Sequence, residues 1–289
     1  MYNCDYIKKR LKMKIVTTVK ELREHLKYEV SKEKNSIGFI PTMGALHQGH
    51  AKLIKQARGE NEIVVVSIFL NPTQFLEGED LGIYPKRDEA DKKICQLSGV
   101  DILFFPSVDE IYKDDEASIL APRVRGFVLE GFSRAGHFNG VLTVVMKLLN
   151  IVSPTKAYFG KKDAQQLNLI KLMVEQFFMS VEIVAVETQR ESDGLALSSR
   201  NVYLSKEERQ EALKIPQSLH LCAKLVSKNV RDRDEIVKNM REVLHPLEIF
   251  YVEVLSRDFE VIKEVELGNS IVLVEAKVGE TRLLDNIWL

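Results

Sequence analysis

The chain has 289 residues, 45% hydrophobic and 29% charged, with 15 Gly and 8 Pro; this predicts about two domains of the usual ~150 residues and excludes a disordered or fibrous chain. Lys and Arg number 41 against 42 Asp and Glu, a formal net charge of -1, so no global charge draws it to nucleic acid or to an anionic membrane. Its clearest apolar runs, Ile63 to Val66 and Ile68 to Leu70, fall far short of the ~18 residues a membrane helix needs.

Lys8, Lys9, Arg10, Lys12 and Lys14 precede no apolar run, so no secretory signal is expected and a cytoplasmic location is. Residues 1–12 read as a tail, with Met13 an alternative start leading directly into a short strand at Lys14-Ile15-Val16. Cys4, Cys95 and Cys222 are odd in number and lack metal-ligand spacing, which suits free thiols in a reducing compartment.

Thr18 and Glu21 form a capping-box pair, and Val19, Leu22 and Leu26 continue at helical spacing to about Tyr28. Ser36 to Ile40 reads as a buried strand, and His50 to Arg58 as a helix with Leu53, Ile54 and Ala57 on one face. Ile63 to Leu70 is continuous and β-branched, as a parallel strand covered on both faces should be, and Asn71-Pro72 stops it. The alternation goes on with a helix over Asp88 to Leu97, a strand over Asp101 to Phe105 and an apolar helix over Val141 to Val152. A strand over Ala157 to Phe159, a helix over Ala164 to Phe177 and a strand over Val181 to Val186 complete it. The class expected is α/β, a Rossmann-like doubly wound parallel sheet over residues 1–187.

Residues 188–289 read as a second, smaller α+β C-terminal domain. Ser205 and Glu208 make another capping box, opening a helix with Ala212, Ile215, Leu219, Cys222 and Val226 on one face, which Pro216 should kink. One more helix is expected within the charged residues 228–245, followed by β-rich runs Ile249 to Leu255, Ser270 to Val278 and Arg282 to Ile287.

The most specific signal is Pro41-Thr42-Met43-Gly44-Ala45-Leu46-His47-Gln48-Gly49-His50, between the first core strand and its helix, where open parallel sheets bind ligands. Gly44 and Gly49 allow close backbone approach, the helix start favours anions, and two imidazoles at i and i+3 supply donors for the α and β phosphates of a triphosphate. Taken without that context, the pair reads as two polar histidines near a helix start.

This His-x-Gly-His loop resembles the signature of the nucleotidyl-transferase superfamily shared with class I aminoacyl-tRNA synthetases. With NPTQF at 71–75, RAGHFNGVLTVV at 134–145, YFGKKDAQQ at 158–166 and DGLALSSRNVYLS at 193–205, the chain resembles the pantoate-β-alanine ligase family from about Met13 onward. The resemblance implies ATP-dependent condensation of pantoate with β-alanine through a pantoyl adenylate, releasing AMP and pyrophosphate, in pantothenate and coenzyme A biosynthesis. It also implies Mg²⁺ carried on ATP, no protein-held metal and a homodimer formed through the N-terminal domain, with residues 188–289 as a lid over the ATP and pantoate site. No nucleic-acid or membrane partner is expected.

Carried over residue by residue, the resemblance makes His50, His47 and Lys162 catalytic. It lays ATP along Met43 to His50, that is Met43, Gly44, Ala45, Leu46, His47, Gln48, Gly49 and His50. Further ATP contacts fall on Gly160, Lys161, Lys162, Asp163, Gln189, Leu197, Ser198, Ser199 and Arg200. Pantoate falls to Gln74, Gln166 and Arg134, and β-alanine to Gln74. The residue types agree with these tasks: neutral amides orient a hydroxy acid without a strong ion pair, and hydroxyls beside a guanidinium hold pyrophosphate. Other readings of the same residues stay open. Asp163 suits a helix N-cap, Ser198 and Ser199 a linker, Gln74 and Gln166 a solvated surface, and Arg134 and His137 either pantoate, ATP or the ordering of a loop over the site. The chain departs from the family pattern at Leu76-Glu77-Gly78, Ala135, Lys161 and Leu197.

A sister nucleotidyltransferase acting on a phosphate-bearing acceptor would want cations where Gln74 and Gln166 stand. A silent nucleotide sensor or RNA-binding relative fits poorly with near-zero net charge and an intact set of phosphate-contacting side chains.

Overall fold

The computed structural model describes residues 13–32 and 35–289. The tail expected over 1–12 and the thiol of Cys4 lie outside the described residues. Nine strands are described: β1 (Lys14–Val16), β2 (Ile37–Thr42), β3 (Ile63–Ile68), β4 (Ile102–Phe104), β5 (Lys156–Gly160), β6 (Glu182–Val186), β7 (Glu248–Ser256), β8 (Ser270–Val278) and β9 (Thr281–Trp288). The longer helices are α1 (Val19–Lys32), α2 (Gln48–Glu60), α3 (Asp88–Leu97), α4 (His137–Val152), α5 (Ala164–Gln176), α6 (Lys206–Ala212), α7 (Lys214–Ser227) and α8 (Arg233–Leu244).

β1 to β6 form one parallel sheet in the order β1-β4-β3-β2-β5-β6. Because successive side chains on a strand face opposite ways, each strand feeds two cores. Phe39, Val65, Phe104 and Ala157 pack with Leu22, Val145 and Ile170 of α1, α4 and α5. Ile40, Val64, Leu103 and Tyr158 pack with Ile54 of α2 and Cys95 of α3 on the other face. Helices on both faces are what a doubly wound sheet requires, and every residue of β3 is buried.

The chain winds outward from β2 to β3 and β4, then returns to lay β5 on the other side of β2. The topological switch point therefore lies between β2 and β5, whose ladder runs only over Gly38↔Lys156 and Phe39↔Ala157. Beyond those pairs their carboxyl ends have no shared ladder, and a crevice opens there.

β7, β8 and β9 form a separate antiparallel sheet in that order, covered by α7 and α8 around Leu219, Cys222, Ile236, Met240, Val252 and Val274. Both capping boxes exist: Glu21 accepts from the N–H groups of Thr17 and Thr18 while Thr18 accepts from Glu21, and Ser205 and Glu208 cap each other. Pro216 does not kink a single helix: α6 ends at Ala212 and α7 begins at Lys214. A proline ring meets the carbonyl four residues back, here Ala212, and is tolerated only in a first turn. α4 also starts at His137, a turn before the expected Val141.

Candidate active site

The carboxyl ends of β2, β3 and β5 open into a cleft also lined by the segment after β6 and by Arg282 to Leu284 of β9. Its first wall is the β2–α2 loop. Thr42 Oγ1 donates to Ser67 O (2.7 Å) and accepts from Gly44 N (3.3 Å), which fastens the start of the loop to β3. Ala45, at φ +50, and Leu46 donate their N–H groups to the Asp91 carboxylate at 2.8 and 2.7 Å. Asp91 is 1% exposed, and burial pushes its carboxyl above the ordinary value while the two amides partly offset that.

His47 is the N-cap of α2. Its Nδ1 accepts from Gly49 N (3.1 Å), and Nδ1 of His50 accepts from His47 N (3.2 Å), so two histidines make a reciprocal capping box. The rings lie 4.2 Å apart between centroids, tilted by 49°. The His47 imidazole folds over Gly49, where a Cβ would stand 2.8 Å from its Cε1 and would push the ring aside. Burial, then the Lys162 charge, lowers the His47 pKa to about 4. Burial, then His47 and Lys162, lowers that of His50 to about 3. A neutral ring whose Nδ1 accepts carries its hydrogen on Nε2. Each histidine thus offers an uncharged Nε2–H donor.

The second wall is the β5–α5 turn. Gly160, Lys162, Asp163 and Gln166 line the cleft, whereas Lys161 is turned aside, paired with Glu187 and stacked 5.4 Å from the Trp288 ring centroid. Asp163 stands at the N-cap position of α5 but makes no capping bond, contrary to the capping role open to it in sequence; its Oδ1 lies 3.5 Å from Lys162 Nζ. Gln165 faces the opposite way, bound to the carbonyls of Arg125 and Val128 and to Glu130 N.

The third wall follows β3. Asn71, 1% exposed, donates to Gln74 Oε1 (3.1 Å) and to Gly140 O (3.2 Å), while Gln74 Nε2 reaches Met43 Sδ (3.0 Å). The Gln74 carbonyl accepts from His137 Nδ1 (2.7 Å) and Arg134 Nη2 (3.3 Å). The Arg134 guanidinium is taken up by Glu79 (both oxygens, 2.7 Å), by Glu130 (2.9 Å) and by His137 Nε2 (3.0 Å). Of the roles open to it in sequence, this geometry serves loop ordering: Arg134 supports the turn that carries Gln74. The departures at Leu76-Glu77-Gly78 fall in the same loop, anchored by Glu79 to Arg134 and by Asp80 to Arg200.

The segment after β6 closes the cleft. Leu197 N bonds Gln189 O (2.9 Å), Ser199 Oγ donates to Ala45 O (3.2 Å), Ser198 Oγ accepts from Arg200 N (3.3 Å), and Arg200 forks onto Asp80 at 2.9 and 3.0 Å. Met43, Gly49, Gln189, Leu197, Ser198, Ser199 and Arg200 line the cleft, as do Gln74, Gln166 and Arg134; Gln48 is exposed beside it. Gly44, Ala45 and Leu46 shape the loop through their backbone.

Sequence reasoning missed Asn71 and Glu130 as cleft residues and assigned Asp91 no task. Asn71 was legible only as a strand stop, and Asp91 sits among acidic residues that look like ordinary helix-start charges. Arg282, which bonds Glu275 (2.6 Å) and Ser133 Oγ (2.8 Å) across the cleft edge, carried no local signal.

The Pantoate-beta-alanine ligase family model matches residues 14–288. The chain is 67% identical to a pantothenate synthetase of Sulfurimonas denitrificans over 277 residues, covering 96% of this chain and 100% of that one. It is 52% identical to a pantothenate synthetase of Campylobacter fetus with the same coverage. Among solved structures, the pantothenate synthetase of Thermus thermophilus superposes with a TM-score of 0.90 at 39% identity, covering 95% of this chain and 99% of that one. The pantoate-beta-alanine ligase of Francisella tularensis, complexed with beta-gamma ATP and beta-alanine, gives 0.79 at 35% identity, covering 96% and 98%.

Proposed function

The chain belongs to the pantoate-β-alanine ligase family, and from that premise we propose how its cleft carries out the reaction. The enzyme condenses (R)-pantoate with β-alanine to pantothenate, driven by ATP. A pantoate carboxylate oxygen attacks the α-phosphorus, the bond to the bridging oxygen breaks, and pyrophosphate leaves. The β-alanine amine then attacks the acyl carbon of pantoyl adenylate, loses a proton, and expels AMP.

The observation that carries the assignment of roles is that both Nδ1 atoms of the histidine pair at the switch point accept backbone N–H groups, which leaves each Nε2 to donate. His47 and His50 stabilise charge developing on the ATP phosphates, and their neutrality leaves Lys162 as the cation at the α-phosphate. The backbone of Met43 to Leu46, with Gly160 and Asp163, cradles the nucleotide, Gln189 and Leu197 hold the base side, and Ser198, Ser199 and Arg200 hold the departing pyrophosphate. Gln74 and Gln166 orient pantoate through amides that leave its carboxylate nucleophilic, with Gln74 also beside β-alanine.

The Mg²⁺ that the family resemblance implies would come bound to the ATP phosphates and would supply charge neutralisation there. Residues 188–289 act as the lid, the division falling at 187/188, in a cytoplasmic enzyme. The homodimer forms through the first unit, whose segment around Leu120, Val124 and Phe132 leaves those side chains 76%, 69% and 81% exposed.

The test is AMP release from ATP and Mg²⁺ with pantoate and β-alanine together, then with each omitted. Release that requires both is expected; release indifferent to β-alanine would send the activated acid to another acceptor and overturn the assignment.

A further inference from the structure

Asn286 of β9, 3% exposed, donates from Nδ2 to two carbonyls of the β5–α5 turn, Lys161 O at 2.9 Å and Lys162 O at 2.7 Å. Those carbonyls belong to the peptide groups on either side of the Lys162 Cα, so one side-chain amide holds both planes that set its backbone dihedrals. Both amide hydrogens are used, and Oδ1 has no partner. The orientation is settled by its acceptors, since exchanging N and O would set an oxygen against two carbonyl oxygens.

The clamp is itself anchored. Asn286 N bonds Asp285 Oδ1 (2.8 Å), and Asp285, 2% exposed, forks onto Arg190 at 2.5 and 2.9 Å. On the other side of the turn, Lys161 N donates to Val186 O (2.8 Å). Among the described residues the Lys162 ammonium has one long contact, 3.5 Å to Asp163, so the backbone that Asn286 fixes sets where its stem leaves the turn and no close side-chain partner re-aims it.

We propose that Asn286 is the positioning residue of Lys162: it clamps the turn so that the ammonium enters the cleft toward the ATP phosphates, and does so only while β9 is seated on the first unit. The proposal rests on Lys162 being the phosphate contact. Lys162→Ala, Asn286→Ala and the double variant are compared in pyrophosphate release, with the pantoate dissociation constant and melting temperature measured on each. Displacing a catalytic cation by about 1 Å costs on the order of 10²-fold. Asn286→Ala is therefore expected to lose about that in kcat/KM for ATP, with pantoate affinity within about threefold of wild type. The double variant is expected to be no slower than Lys162→Ala, because groups acting through one another are not additive. Multiplicative losses in the double variant, with Lys162→Ala impaired, overturn the clamp alone. Lys162→Ala at the wild-type rate overturns the reading of Lys162 and the clamp with it. If Asn286→Ala does not fold, Asn286→Ser, which keeps a polar side chain too short to span both carbonyls, takes its place in the cycle with the same outcomes.

Discussion

Each of His47 and His50 has its Nδ1 facing a backbone N–H, and a ring nitrogen that accepts cannot also donate. The two residues therefore do a structural and a chemical task at once, capping α2 through one nitrogen and presenting a donor through the other. His50→Ala is expected to lose about 10²- to 10³-fold in adenylate formation, the size seen when one charge-stabilising donor is removed; a near wild-type pyrophosphate burst would take His50 out of the mechanism. The depressed pKa values, about 4 and about 3 against an ordinary 6.5, also bear on stability. Above pH 6.5 folded and unfolded chains both hold these rings neutral. As pH falls below that, the unfolded chain binds protons the folded chain refuses, so their contribution to stability is lost progressively toward pH 4 and 3. Glu275, raised to about 6 chiefly by burial, acts in the opposite sense between its ordinary 4.5 and 6. Urea unfolding at a series of pH values checks this: replacing both histidines by Gln should flatten the decline below pH 6.5. The pair was legible from its motif and spacing; its capping role was not, because histidine is absent from the usual cap vocabulary.

At the scale of elements, the helices and strands followed from local signals, with the exceptions where a tertiary partner intervenes. α4 begins a turn early because His137 bonds Gln74 O and Asn139 Oδ1 accepts from Ala121 N, so polar residues that look like a loop are held helical from outside. The same helix seats the turn of Gln74: a Cβ on Gly140 would stand 2.3 Å from Thr73 O, a backbone atom that cannot yield without moving the turn. Gly140→Ala is accordingly expected to destabilise the protein by about 1–3 kcal/mol, the usual cost of overpacking. It should also raise the KM for pantoate more than that for ATP. Thermal melting with steady-state kinetics reads both, and equal changes in the two KM values would detach Gln74 from pantoate. The break before Pro216 is the converse case, a local rule strong enough to divide one amphipathic pattern into two helices.

For the molecule as a whole, the parallel sheet provides the switch point and the second sheet completes the cleft by side chains on β9. Cys95 sits in one core of the parallel sheet and Cys222 in the core of the second sheet, both 0% exposed, their thiols pushed by burial up to about 12 and about 11. In a Cys4→Ser variant, a thiol reagent is expected to label them no faster than the protein unfolds. Labelling that is fast and first order in reagent under native conditions would mean either unit opens locally.

The sequence by itself determined the α/β class, the strand-loop-helix context of the His-x-Gly-His loop, and the blocks that carry the family resemblance. Each of these is written among near neighbours, in a period, a cap or a turn residue. Tertiary structure alone decided that Lys161 turns aside onto Glu187 and Trp288, that Arg134 is held by Glu79 from 55 residues away, and that Asp91 and Asn286 hold loops from 45 and 125 residues away. Such contacts join residues with no period between them, and their geometry exists only once the sheets have packed; hydrogen bonds across that distance leave no trace in local composition.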